Sequence, residues 1–212
     1  MGIFRFVFDS YQSLKKDYLS KKYHYDITTC NRYNELGVLL NIINFQSRTP
    51  SFETPVKIQF KKRINFGDNL WKVKSKIGLP VLKIEPYLKN HDIYIHKMYI
   101  GHYKSTIETH FYKGEFFMGT FNFNHHQDRN RLCELLINKY LSEKGNLDSH
   151  DNLSIVDQNG NSIQLSHIIK NSFIYLTGDQ KLKNEILAEI QEHIDYEIAQ
   201  KEEDINRMME DL

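Results

Sequence analysis

Between Val81 and Phe123 the chain runs through four segments rich in Ile, Tyr, Phe and Thr: Val81 to Pro86, Ile93 to Ile100, Thr106 to Tyr112 and Glu115 to Phe123. Turn signals at Lys89-Asn90, Gly101 and Lys113-Gly114 separate them. Short β-prone runs joined by brief turns pair with their sequence neighbours, so this spacing predicts an antiparallel meander at the centre of the molecule.

Around that centre the period is helical. Residues 3 to 20 place Ile3, Val7, Phe8, Tyr11, Leu14 and Tyr18 on one stripe, and the apolar stretch 33 to 45 predicts a second, more buried helix. Ser47 to Pro55, with Pro50 and Pro55, reads as a loop, and the alternation of Ile58, Phe60, Ile64 and Phe66 predicts a half-buried strand over Lys57 to Phe66. Asp68 is the N-cap candidate of a short helix reaching Ile77, stopped by Gly78 and Pro80. A further helix is expected over Arg129 to Leu141, then a polar linker from Ser142 to Asn152. Asn159-Gly160 between β-prone runs predicts a hairpin over Leu153 to Leu165, followed by a strand at Phe173 to Leu176 and a long final helix. The fold class expected is α+β, divided into an α+β body with an antiparallel sheet, 1–141, and a small β-hairpin unit plus an acidic terminal helix, 153–212.

A chain of 212 residues with 13 Phe and 13 Tyr can bury a substantial core and is far from a disordered composition. Cys30 and Cys133, two thiols far apart, form neither a disulfide framework nor a metal or redox pair. No apolar run approaches the ~18 residues of a spanning helix, and the N-terminus lacks the pattern of a cleaved signal, so a cytoplasmic protein is expected.

Charge is unevenly distributed. Glu185 to Leu212 carries ten carboxylates against Lys201 and Arg207, which makes the segment net −8. The chain has 28 Lys+Arg and 27 Asp+Glu, so residues 1 to 184 are left net +9. Such asymmetry speaks to partners more than to fold. Leu182, Ile186, Ile190, Ile194, Ile198, Ile205, Met208 and Leu212 form a narrow apolar seam along this segment, interrupted from Gln200 to Asp204. The candidate partner-binding residues are Ile190, Ile194, Ile198, Glu202, Glu203, Ile205, Met208 and Met209. The alternatives are that the first half of the helix packs on the body while its second half is a solvated tail, or that its carboxylates screen the basic centre of the same molecule.

That centre, residues 57 to 104, has a net charge of +8. A nucleic-acid face would draw on Lys57, Lys61, Lys62, Arg63, Trp71, Lys72, Lys74 and Lys76, because phosphate neutralisation and base stacking need cations and aromatic rings together. Tyr87, Tyr94, Tyr99 and Tyr103 are interleaved, although lysines on strands and short helices are commonly a solvated face. Among the ten histidines, His91, His96, His102 and His110 fall on or between neighbouring strands and His125-His126 precedes a helix, without HExxH or CxxC spacing. A metal-dependent hydrolase on a His-rich sheet is therefore an alternative that no spacing demands. Glu108 and Glu115 flank the Lys113-Gly114 turn, and Asp157 precedes Asn159-Gly160, where ion pairing and turn formation explain them as well as catalysis does. No GxSxG, P-loop or GxGxxG occurs, no catalytic residue is assigned and no cofactor or metal is expected.

The run Ile64-Asn-Phe-Gly-Asp-Asn-Leu-Trp-Lys-Val-Lys-Ser-Lys-Ile-Gly-Leu-Pro resembles the helix of BamE/SmpA-like small α+β domains, and Tyr112-Lys-Gly-Glu-Phe-Phe resembles their aromatic hairpin strand. The resemblance covers residues 58 to 123 and rests on Gly67, Val73, Gly78, Pro80 and Gly114. It implies an interaction scaffold with no catalytic residues to carry over. The family's envelope role does not follow, since no lipoprotein signal is read here. The function expected is a non-enzymatic adaptor or inhibitor-type module that binds a basic protein, or itself, through the acidic helix and an aromatic sheet face. Membrane-surface association through Phe4 and Phe8 of the first helix is a remoter alternative.

Overall fold

The computed structural model describes residues 36–45, 51–86, 88–100, 103–123, 129–141, 153–165 and 172–210. The helix expected over 3 to 20, the linker 142 to 152, Cys30, Tyr87, His102 and His125-His126 lie outside the described residues.

The elements are α1 (Leu36–Ile43), β1 (Ser51–Thr54), α2 (Leu70–Ile77), β2 (Leu82–Ile84), β3 (His91–Ile100), β4 (Tyr103–Tyr112), β5 (Glu115–Phe123), α3 (Arg129–Tyr140), β6 (Leu153–Asp157), β7 (Ser162–Leu165), β8 (Ser172–Leu176) and α4 (Gln180–Glu210). The eight strands among the described residues form one sheet in the order β1-β6-β7-β8-β5-β4-β3-β2, antiparallel except for the parallel pair β1/β6. The fold is α+β, with the expected meander as β2 to β5. Its β4/β5 turn holds Lys113 at φ 51° and Gly114 at φ 84°, two consecutive left-handed residues whose twist suits a two-residue hairpin. The hairpin expected over 153–165 and the strand expected at 173–176 complete the same sheet: β8 pairs β5 and β6 pairs β1.

Three expectations are corrected. Ser51–Thr54, read as loop, is an edge strand that Pro55 terminates. Lys57 to Phe66, read as a strand, is irregular, with only an isolated bridge between Lys61 and Ile64. The alternation there is satisfied differently, for Ile58, Phe60 and Ile64 are buried while the backbone crosses over the sheet rather than joining it. Asp157 anchors the crossing by accepting from the Ile58 amide at 2.9 Å as well as from the amides of Asn159 and Asn161 in its own turn. The Phe60 ring then lies over Gly119 of β5, where a Cβ would come within 2.5 Å of the ring, so only glycine fits. The N-cap of α2 is Asn69, whose side chain accepts from the Lys72 amide, whereas Asp68 accepts from the Asn65 amide and pairs with Lys72 Nζ.

The sheet separates two apolar layers. One joins Ile93, Ile95, Met118 and Ile174 to α1 and the first half of α4. The other holds Phe60, Val73, Phe116, Phe121 and Tyr175 together with Leu136 and Tyr140 of α3. No described helix is long and apolar enough to cross a membrane.

Candidate functional site

Helix α4 begins where Asn161 Oδ1 accepts from the Gly178 amide, holding the chain after β8, and where the Asp179 carboxylate accepts from the Leu182 amide at 3.1 Å, as an N-cap does. At 31 residues it is about 46 Å long. Its first half is fastened on two sides. Ile186 and Ile190 are buried against α1 and the sheet, with Leu182, Leu187 and Ile194 packed beside them. On the flank, Glu189 accepts from the Tyr112 hydroxyl at 2.6 Å and from Asn90 Nδ2 at 3.3 Å, while Lys113 Nζ pairs with Glu185 at 2.7 Å. Burial, then the Glu189 carboxylate, raises the Tyr112 phenol above its ordinary pKa; the hydrogen bond from Lys113 lowers that of Glu185. These residues edge an open groove of about 650 Å³ between the helix and the hairpin, whose last helical residue is Tyr196.

Beyond the groove the helix projects. Residues 195 to 209 are all exposed, including Ile198 (51%), Ile205 (56%), Met208 (69%) and Met209 (70%). Polar pairs there run along the helix, Gln200 to Tyr196 at 2.9 Å and Arg207 to Glu203. Of the sequence-predicted partner-binding residues, Ile190 is a core residue and Ile194 is half-buried, so the accessible set is Ile198, Glu202, Glu203, Ile205, Met208 and Met209. The break in the apolar spacing from Gln200 to Asp204 points to a packed first half and a solvated second half, but the division falls earlier, after Ile194, where the core of the body ends.

The basic residues of the centre are less uniform than their spacing suggests. Lys57, Lys62, Arg63, Lys72 and Lys76 are exposed, and Trp71 is 83% exposed on α2. Lys61 donates to the Lys76 carbonyl at 3.1 Å, Lys72 pairs with Asp68 at 2.6 Å, and Lys74 lies over the Tyr94 ring at 5.4 Å. Tyr94 belongs to the core, whereas Tyr99 is exposed.

The described histidines of the sheet separate into two settings. His96 shares a face with Tyr94 and Met98, as the alternation requires, and is buried near Thr109 Oγ1 at 3.3 Å. Burial lowers its pKa to about 4, although the Gly78 and Leu79 carbonyls favour its proton. His91 and His110 form a buried pair, Nε2 to Nδ1 at 3.0 Å, with Glu108 3.8 Å from His110 Nε2. Burial and then His110 push the His91 pKa well down. Glu108 accepts from Thr120 Oγ1 at 3.2 Å and Asn122 Nδ2 at 2.9 Å, extending a buried polar row across β3, β4 and β5. Sequence reasoning missed this row. Its only trace is the alternation Glu108, His110 and Thr120, Asn122, which is visible once the register is known. Glu108 and Glu115 are not brought together, since Glu108 faces Thr120 and Glu115 faces Tyr112. Among the described residues no three His, Cys, Asp or Glu side chains converge as a metal site would require.

No family model matches this chain, and neither the curated proteins nor the solved structures contain a match to it.

Proposed function

We propose that this chain is a cytoplasmic protein-binding module whose docking element is the outer half of α4. The observation that carries the reading is the exposure of Ile198, Ile205, Met208 and Met209 on a helix that a folded body already holds in place. Nucleating a helix in water is unfavourable, but here the packed first half supplies the nucleus, so a partner meets a preformed element. Helices that present apolar side chains at three- and four-residue spacing are read by grooves or by other helices. The resemblance of residues 58 to 123 to an interaction scaffold agrees with such a role, and the two widely spaced cysteines agree with a reducing compartment. Affinity capture from host lysate with the full chain tests it. A protein retained by the natural sequence and lost with Ile198→Ser, Ile205→Ser and Met208→Ser combined is the expected result. Capture indifferent to these changes sinks the reading.

A second reading is favoured by Trp71, exposed among Lys62, Arg63, Lys72 and Lys76: single-stranded nucleic acid with a base stacked on the indole. Its affinity should fall steeply with salt and disappear in a Lys62→Glu, Lys76→Glu, Trp71→Ala variant. Salt-insensitive binding contradicts it.

A further inference from the structure

We infer that the partner element for the outer half of α4 is a helix whose apolar seam is bordered by lysine or arginine, and not a second copy of this chain; the inference rests on the docking reading above. Ile194, Ile198, Lys201, Ile205 and Met208 follow one another at spacings of four, three, four and three residues. That is the repeat of a two-stranded seam. It continues the face that α1 and the sheet cover as far as Ile194, and from Ile198 onward the same face is open.

The flanks of this seam are acidic. Asp195 and Glu202 border it on one side, Glu197 and Asp204 on the other, and all four are exposed. In a two-stranded coil the flanking positions of one helix lie beside those of the other and decide which partners pair. A second copy in parallel orientation would set Glu197 beside Glu202. In antiparallel orientation Asp195 and Glu202 would face their own counterparts, as would Glu197 and Asp204. Either way carboxylate meets carboxylate, whereas a basic-flanked helix meets opposite charge at each position. Lys201 adds a second selection, because its ammonium stands within the seam. Polar residues at such positions fix register at some cost in stability, so a fitting partner places a carboxylate opposite it. Met209 widens the apolar strip at the outer end, giving the partner an adaptable contact surface.

The test titrates the full chain with two labelled helical peptides of about three heptads, sharing an apolar seam with one central Glu and differing only in Lys or Glu at the flanking positions. Fluorescence anisotropy should show the Lys-flanked peptide binding at least about tenfold more tightly, with the advantage shrinking as salt rises. Asp195→Lys, Glu197→Lys, Glu202→Lys and Asp204→Lys combined should reverse the preference while circular dichroism shows the helix retained. The Ile198→Ser, Ile205→Ser, Met208→Ser variant should bind neither peptide, and sedimentation of the natural chain should show no dimer that depends on these three residues. Equal binding of both peptides, binding of neither, or a tail-dependent dimer at neutral pH overturns the inference. If lysate capture still depends on Ile198, Ile205 and Met208 in that case, the docking reading survives with a different partner. If it does not, both fall.

Discussion

The two halves of α4 share one apolar seam, unbroken in the first half and interrupted from Gln200 to Asp204 in the second, and meet opposite fates. From Leu182 to Ile194 the seam closes against α1 and the sheet, and Glu189 and Glu185 beside it are tied to Tyr112, Asn90 and Lys113. From Asp195 onward the seam faces water and the polar groups pair along their own helix. Amphipathic spacing therefore says that a face wants covering without saying what covers it. The difference between a core and a docking surface is whether the rest of the fold extends far enough to reach the face.

The most damaging way to probe this contrast is to shorten one isoleucine in each half. Ile190→Ala should cost about 2–5 kcal/mol in urea unfolding, by lost burial and the cavity left behind. Ile205→Ala should stay within about 0.5 kcal/mol. Similar losses at both positions would mean that the outer half is covered in solution.

Acid provides the next largest effect, through the buried histidines of the body. Below pH 6.5 the unfolded chain protonates His96, whereas the folded protein resists until about pH 4. Stability is thus fully present above pH 6.5 and falls between those limits, by up to about 3 kcal/mol from this residue. His91, with its pKa pushed down, adds loss in the same direction from the same starting pH. A His96→Gln variant should show a shallower acid slope by chemical denaturation; an unchanged slope would contradict burial as the cause.

Smaller effects should separate the anchored flank from the free one. Tyr112→Phe removes the hydroxyl that holds Glu189 and should cost about 1 kcal/mol by urea melting. Glu203→Gln breaks the pair with Arg207 in the outer half and should cost only about 0.3–0.5 kcal/mol, best seen as a small loss of helical circular dichroism. Reversal of that order would mean that the hairpin does not anchor the helix.

Much of the meander was legible because each device is local. Alternation marks β3 to β5, and Lys113-Gly114 supplies two left-handed positions in succession. The segment 57 to 66 misled because its alternation of Ile58, Phe60 and Ile64 reports burial of every second side chain, which a strand and an irregular crossing segment both achieve. Ser51–Thr54 was hidden for the opposite reason: its partner is β6, a hundred residues away in the parallel direction, and an exposed edge strand needs no apolar pattern of its own. Of the candidate surface, Ile198, Ile205, Met208 and Met209 could be named from spacing, and a packed first half with a solvated second half was one reading of it, but the residue at which burial stops could not be read.

By itself the sequence determined the α+β class, the hairpin turns, the long final helix with its single seam and the concentration of carboxylates around it, because each depends on neighbours within a few residues along the chain. Only the tertiary structure decided that β6 to β8 join the same sheet, that His91, His110 and Glu108 meet inside it, and that α4 outruns its own core after Ile194. Those outcomes depend on strand order and on the extent of the sheet, quantities fixed by contacts between residues far apart in the chain, to which local periodicity is blind.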